Sequence, residues 1–148
     1  TKQASGVNVG LVAVKSRLAK QDLTIPRLEL VSAHMATNLV SNVKKTIDDV
    51  PVIYVFGWLD STVALQWLRG TGEYKQFVGN GVKKIHEHPE ITWRHVPTHD
   101  NPADLGSRGG KVSGNQVWWN GPEWLVDPER WPPDILTAPT PESECEAK

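Results

Sequence analysis

The stretch VIYVFGWLDST, Val52 to Thr62, decides how this chain is read. Val52-Ile53-Tyr54-Val55-Phe56 is a nearly continuous apolar run, rich in β-branched and aromatic residues, with Pro51 before it and Gly57 near its end. Such a run reads as a strand buried on both faces, and so a central one. Asp60 comes just past it, followed by Ser61-Thr62 and the apolar-periodic segment Val63-Ala64-Leu65-Gln66-Trp67-Leu68. The strand therefore delivers a carboxylate at its carboxyl end, where a helix begins. In open α/β sheets that edge is where ligands bind. The competing reading is that Asp60 simply caps the helix.

Upstream, Thr24-Ile25-Pro26 opens a helix that runs to about Lys45, with Thr24 as cap and Pro26 in the first turn. Leu28, Val31, Met35, Leu39 and Val43 form its apolar stripe, at spacings of three and four. Earlier still, Gly6 to Lys15, GVNVGLVAVK, alternates in part and reads as a strand. Downstream, the helix from Ser61 to Arg69 is broken by Gly70-Thr71-Gly72. Another helix follows from about Glu73 to His86, with Tyr74, Phe77, Val78, Val82 and Ile85 on one face. Ile91 to Val96, ITWRHV, is the last strand, and Asn101-Pro102 starts a short helix that ends at Gly109-Gly110.

This order of elements is α/β. Three strands are few for so many helices, so part of the sheet is expected upstream of Thr1. The expected organisation is an α/β domain over 1–110 and a Trp-rich extension over 111–131, packing on that domain or on a neighbour. A Pro-, Thr- and Glu-rich disordered tail or linker over 132–148 completes it.

The chain has 148 residues, the size of one domain. Its 16 Lys and Arg nearly balance 17 Asp and Glu, which removes any argument from a globally basic surface but not from a local patch. The lone cysteine, Cys145, can form no internal disulfide, and the first residues lack a signal-peptide pattern. An intracellular, unsecreted protein is expected. No stretch is apolar for long enough to span a bilayer, so no membrane partner is expected.

Two further acids stand out. Glu29 lies one turn after Pro26, beside Leu28, Leu30 and Val31. A carboxylate next to an apolar stripe is costly unless something pairs with it, although the helix N-terminus is a simpler explanation. Asp104 lies in the first turn of the last helix, just after the loop leaving ITWRHV. Clustered carboxylates raise one another's pKa unless a cation neutralises them. Hard oxygen ligands suit Mg²⁺ or Mn²⁺, and two such ions about 3.5–4 Å apart clamp the attacking and leaving oxygens of a phosphodiester.

With these residues in view, five ordered segments carry a resemblance: KSRLA (Lys15–Ala19), LTIPRLEL (Leu23–Leu30), WLDSTVAL (Trp58–Leu65), WRHVPTHDNPADLGSRG (Trp93–Gly109) and WWNGPEWL (Trp118–Leu125). Together they resemble the reverse transcriptase-associated ribonuclease H domain of BEL/Pao-type retrotransposon polyproteins. The resemblance implies a ribonuclease H-like mixed sheet flanked by helices. It also implies a two-metal nuclease, using two Mg²⁺ with Mn²⁺ as substitute, that cuts the RNA strand of an RNA/DNA hybrid. Of the family's four acids, Glu29, Asp60 and Asp104 match the second, third and fourth. The first, on the family's first strand, is expected upstream of Thr1. Neighbouring reverse transcriptase and integrase domains of the same polyprotein are the implied protein partners. The alternative is a catalytically inactive or domesticated domain that binds nucleic acid or protein without cutting.

The remaining candidates carry lesser roles. His95, at the end of the last strand, is a candidate for proton transfer or product release, with His99 in the following loop as its rival. Ser61 and Thr62 suit a phosphate at the helix N-terminus, or cap the helix. Asn101 contacts nucleic acid, orders the turn before Pro102, or caps the helix. Arg27, Arg94 and Arg108, with Lys75, Lys83 and Lys84, are candidate phosphate contacts that compete with the reading as solvated surface charge. A hybrid is gripped through phosphates and 2′-hydroxyls, so little sequence specificity is expected.

Overall fold

The computed structural model of the chain describes residues 2–3, 6–7, 9–49, 51–52, 54–70 and 72–148, the first four of these by backbone alone. In chain order the elements are β1 (Lys2–Gln3), β2 (Gly6–Val7), α1 (Ile25–Thr46), β3 (Val55–Leu59), α2 (Thr62–Arg69) and α3 (Gln76–His86), followed by β4 (Ile91–His95), α4 (Ala103–Arg108), α5 (Gln116–Asn120) and α6 (Pro141–Glu144). Short 3₁₀ turns lie at Thr98–Asp100, Glu123–Val126 and Pro128–Arg130. Helices with small sheets make this a mixed α/β chain, consistent with a ribonuclease H-like fold. The chain divides into two compact units, Thr1–Ser16 with Val96–Pro133 and Arg17–His95 with Asp134–Lys148.

The larger unit is built around the quoted stretch. β3 and β4 pair in parallel, with Val55 opposite Ile91 and Leu59 opposite His95. The strand begins at Val55 rather than Val52, and Ile53 lies outside the described residues. β3 is half-buried along most of its length rather than buried on both faces, and Tyr54 just before it is 78 % exposed. The expectation of a fully covered strand fails because β4 is its only ladder partner among the described residues. The core lies on the face that carries Leu59 and Ile91, where Val63, Ala64, Leu65, Trp67 and Leu68 of α2 meet Val78, Val82 and Ile85 of α3.

α1 matches its expected bounds but not its expected face. The stripe Leu28, Val31, Met35, Leu39 and Val43 is only half-buried. The buried residues are Pro26, Leu30, Ala33 and Thr37, on the opposite side of the helix. Small residues there admit neighbouring helices closely. Leu30 sits over Gly81 of α3, where a β-carbon would come within 3.0 Å of it, and the Arg27 guanidinium lies 4.8 Å from the centre of the Phe77 ring. Matching Arg27 to Phe77 and Leu30 to Gly81 makes α1 and α3 run in the same direction. Thr37 is tolerated inside because its hydroxyl donates to the Ala33 carbonyl at 2.8 Å.

The stretch expected to be a disordered tail, 132–148, packs against this unit from Asp134 onward. Trp67 is 1 % exposed, and its indole N–H donates to the Ser143 carbonyl at 3.2 Å. Glu146 pairs with Arg27, and Ala147 makes an antiparallel bridge with Tyr74. Thr140 and Ser143 cap α6 reciprocally, with Pro141 in its first turn. Composition concealed this: the segment is polar and proline-rich, but two of its four acids, Asp134 and Glu146, and one cap find fixed partners.

In the smaller unit β1 and β2 form an antiparallel pair. The strand expected over Gly6 to Lys15 is confined to Gly6–Val7, and residues 9–15 have no regular structure. Leu11 N–H donates to the Trp119 carbonyl at 2.9 Å, while Val12 and Val14 stay exposed. Trp118 lies against Gly106 of α4, and Trp119 and Trp131 donate their indole N–H groups to the Val112 and Leu125 carbonyls. Gly121 ends α5 with φ of 75°, a conformation that favours glycine.

Candidate nuclease site

Asp60 stands between β3 and α2 and is half-buried. Its competing role as a cap belongs to its neighbour, because the Ser61 hydroxyl accepts the Ala64 N–H at 3.2 Å. Ser61 is therefore spent on the helix, while Thr62 is the exposed first residue of α2. The carboxylate of Asp60 is thus not needed to start the helix. His95 closes β4 opposite Leu59, so Asp60 directly follows the residue that His95 faces, at the same carboxyl edge of the parallel pair. This places both residues at the sheet edge that the topology favours for ligands.

Glu29 is the fifth residue of α1, past the first turn, and is half-buried. Helix-dipole stabilisation fades beyond the first turn and accounts for little of its placement. α1 packs against β3, which brings the Glu29 helix and the Asp60 strand into one unit. Arg27 is two residues away, about half a turn round the helix from Glu29. It is held by Glu146 through Nε to Oε1 at 2.7 Å and one terminal nitrogen to Oε2 at 3.0 Å. A guanidinium engaged as a fork with a carboxylate presents less to a phosphate.

Asp104 lies in the first turn of α4, in the smaller unit, and is half-buried. Arg108, one turn on, donates to its carboxylate from Nε at 3.0–3.1 Å. The Asn101 side chain accepts the Ala103 N–H at 3.1 Å, so Asn101 orders the turn into α4. His99, 82 % exposed, stands 3.5 Å from Asp100 in the 3₁₀ turn. Arg94 lies mid-β4 opposite Trp58 and is half-buried. Lys75 precedes α3, and Lys83 and Lys84 occupy its last turn, all exposed.

Glu29 and Asp60 share the larger unit with His95, and Asp104 belongs to the smaller one. Among the described residues no group of three or more His, Cys, Asp or Glu stands close enough to hold a metal ion. The donor chemistry is nevertheless all carboxylate oxygen, which suits Mg²⁺ and Mn²⁺.

Residues the sequence reading passed over hold the end of β4. Arg69, the last residue of α2, donates to the Trp93 carbonyl at 3.0 Å, to the Ile135 carbonyl at 2.6 Å and to both Asp134 oxygens at 2.6 and 2.8 Å. Asp134 in turn accepts the His95 and Ile135 N–H groups. Burial pushes the Asp134 carboxyl up, but the Arg69 guanidinium and these amides outweigh it and hold it below the ordinary carboxylate range. The sequence offered one signal, an isolated Asp-Ile pair in a polar, proline-rich stretch.

The family model described as Pao retrotransposon-like RNaseH-like domain matches residues 1–61, a stretch that contains Glu29 and Asp60 and ends one residue past the latter. No curated protein and no solved structure matches the chain. Among the described residues no helix is long and apolar enough to cross a membrane. Over residues 1–61 the chain is similar to a Pao retrotransposon-like ribonuclease H-like domain, which supports the resemblance read from its sequence.

Proposed function

We propose that this domain is a metal-dependent endonuclease of ribonuclease H type, which hydrolyses the RNA strand of RNA/DNA hybrids during retrotransposon reverse transcription. The observation that supports the reading is the placement of Asp60, just past Leu59, and of His95, the register partner of Leu59, at the carboxyl edge of β3 and β4, with the cap role taken by Ser61. Glu29 and Asp60 of the larger unit are the carboxylates that would hold the metal, and Asp104 is the further acid that the resemblance names. Bound Mg²⁺ supplies an activated water and charge stabilisation at the leaving oxygen. His95 is the candidate for proton transfer or product release. Thr62, Arg94, Asn101 and Arg108 are the phosphate and sugar contacts in this reading, with Ser61 and Arg27 weaker contributors because of their existing partners. The partners are the hybrid and the neighbouring reverse transcriptase and integrase domains of one polyprotein. The test is cleavage of a labelled hybrid in Mg²⁺ and in Mn²⁺, by the chain alone and with its upstream reading frame attached. Asp60→Asn is the control. Cutting that Asp60→Asn abolishes supports the nuclease. A folded, extended protein that binds hybrid without cutting makes it a binding module.

A further inference from the structure

The Arg69–Asp134 pair sits where the chain leaves the larger unit and where it returns. The outgoing point is His95 and the returning point is Asp134, and between them lie residues 96–133. Both points are tied at the outer edge of β4. In a strand, alternate residues turn their backbone groups to the same side. Trp93 and His95 therefore both offer their polar groups away from β3. Arg69 donates to the Trp93 carbonyl at 3.0 Å, and Asp134 accepts the His95 N–H at 3.4 Å. Guanidinium and carboxylate thus take the places that a donor and an acceptor of a neighbouring strand would fill, and they protect the edge. They are joined to one another by two contacts of 2.6 and 2.8 Å, so neither end moves alone.

We infer that Arg69 and Asp134 are positioning residues for His95: they staple the carboxyl end of β4 to the returning chain and so hold His95 beside the strand end that carries Asp60. A purely structural pair would serve anywhere along β4. This one acts on the last residue of the strand, which is also the candidate proton-transfer group, and it closes a long excursion whose free ends cost entropy to hold together. The inference rests on the nuclease reading for its purpose, but not for its geometry.

The experiment uses the full chain and the variants Asp134→Ala, Asp134→Asn and Arg69→Met. It measures amide exchange at His95 and on β3 together with the pH profile of hybrid cleavage. The staple predicts exchange at His95 faster by about tenfold or more in Asp134→Ala, with β3 amides little changed, because the opening is local. It also predicts that the pH profile of hybrid cleavage changes in Asp134→Ala, with Asp134→Asn recovering part of both effects. Unchanged exchange at His95 overturns the staple. Faster exchange with an unaltered pH profile overturns the positioning role. If the wild-type and extended proteins cut nothing, the nuclease reading fails and the positioning role falls with it, while exchange at His95 still decides whether the staple exists.

Discussion

Gly57 lies directly beneath the six-membered ring of Trp93, its register partner on the adjacent strand. A β-carbon at 57 would stand 2.5 Å from Cε3 and Cζ3 of that ring, inside any real contact distance. The residue at 57 is small because the neighbouring strand spends its bulk there. Gly57→Ala is therefore expected to destabilise the domain by roughly 1–3 kcal/mol through overpacking. Trp93→Leu in the same background should restore part of the loss, since the two changes share one space. Urea unfolding of the two singles and the double measures this, and additive effects would contradict the packing described.

The final segment should behave as part of the core rather than as a tail. Glu146 is 9 % exposed and forks onto Arg27. Replacing it with Gln leaves a partly buried guanidinium short of its partner, at a cost of about 1–3 kcal/mol. Trp67→Phe removes the indole donor to the Ser143 carbonyl and should cost about 1 kcal/mol for the lost hydrogen bond, plus a packing defect. Deleting residues 134–148 would uncover Trp67 and is expected to lower the thermal midpoint far more than either point change. A deletion with no effect on the midpoint would restore the reading of a loose tail.

Acid should weaken the larger unit in two stages. His34 is held below its ordinary value first by burial and then by Lys84, Arg17 and His88, against a smaller opposing pull from Glu87. A base with a depressed folded pKa binds fewer protons folded than unfolded. Its contribution is complete above the unfolded value, near 6.5, and is lost as pH falls through the depressed one. Asp134, also depressed, keeps its contribution above the ordinary carboxylate value of 3.8 and loses it below. Stability measured against pH should therefore decline first in the mildly acidic range and again in strong acid. His34→Gln should flatten the first decline and leave the second. An unchanged first decline in that variant would overturn its assignment to His34.

Much of this fold was legible because period and punctuation agree. Thr24-Ile25-Pro26 marks the start of α1, Ser61 caps α2, and the branched run ITWRHV sets β4. What escaped was decided by tertiary contacts that leave little local trace. The buried side of α1 is chosen by close helix approach at Gly81, not by the larger residues of the opposite stripe. Residues 9–15 carry a strand pattern, but a strand needs a ladder partner; among the described residues they join no ladder, and Leu11 donates to the Trp119 carbonyl. Of the candidate site, Asp60 and His95 could be placed because a parallel pair fixes both ends of its strands. Asp104 could be assigned only to the start of a helix.

Asp104 offers a direct way to ask whether it is a metal ligand. Its carboxylate is occupied by Arg108, one turn along α4, at 3.0–3.1 Å, and the arginine is 71 % exposed. An exposed pair of this kind contributes at most about 1 kcal/mol. A divalent cation that takes Asp104 must displace the guanidinium, so the two compete for the same oxygens. Arg108→Met should then tighten Mn²⁺ binding by up to about fivefold, the equivalent of that pairing energy. Glu29→Gln and Asp60→Asn should each weaken it. Calorimetric titration of the three variants separates the possibilities. If Arg108→Met leaves Mn²⁺ affinity unchanged while Asp60→Asn lowers it, the metal sits with Glu29 and Asp60, and Asp104 serves only the turn it begins. If Arg108→Met weakens binding, the arginine acts with the metal rather than against it, and Asp104 is its anchor.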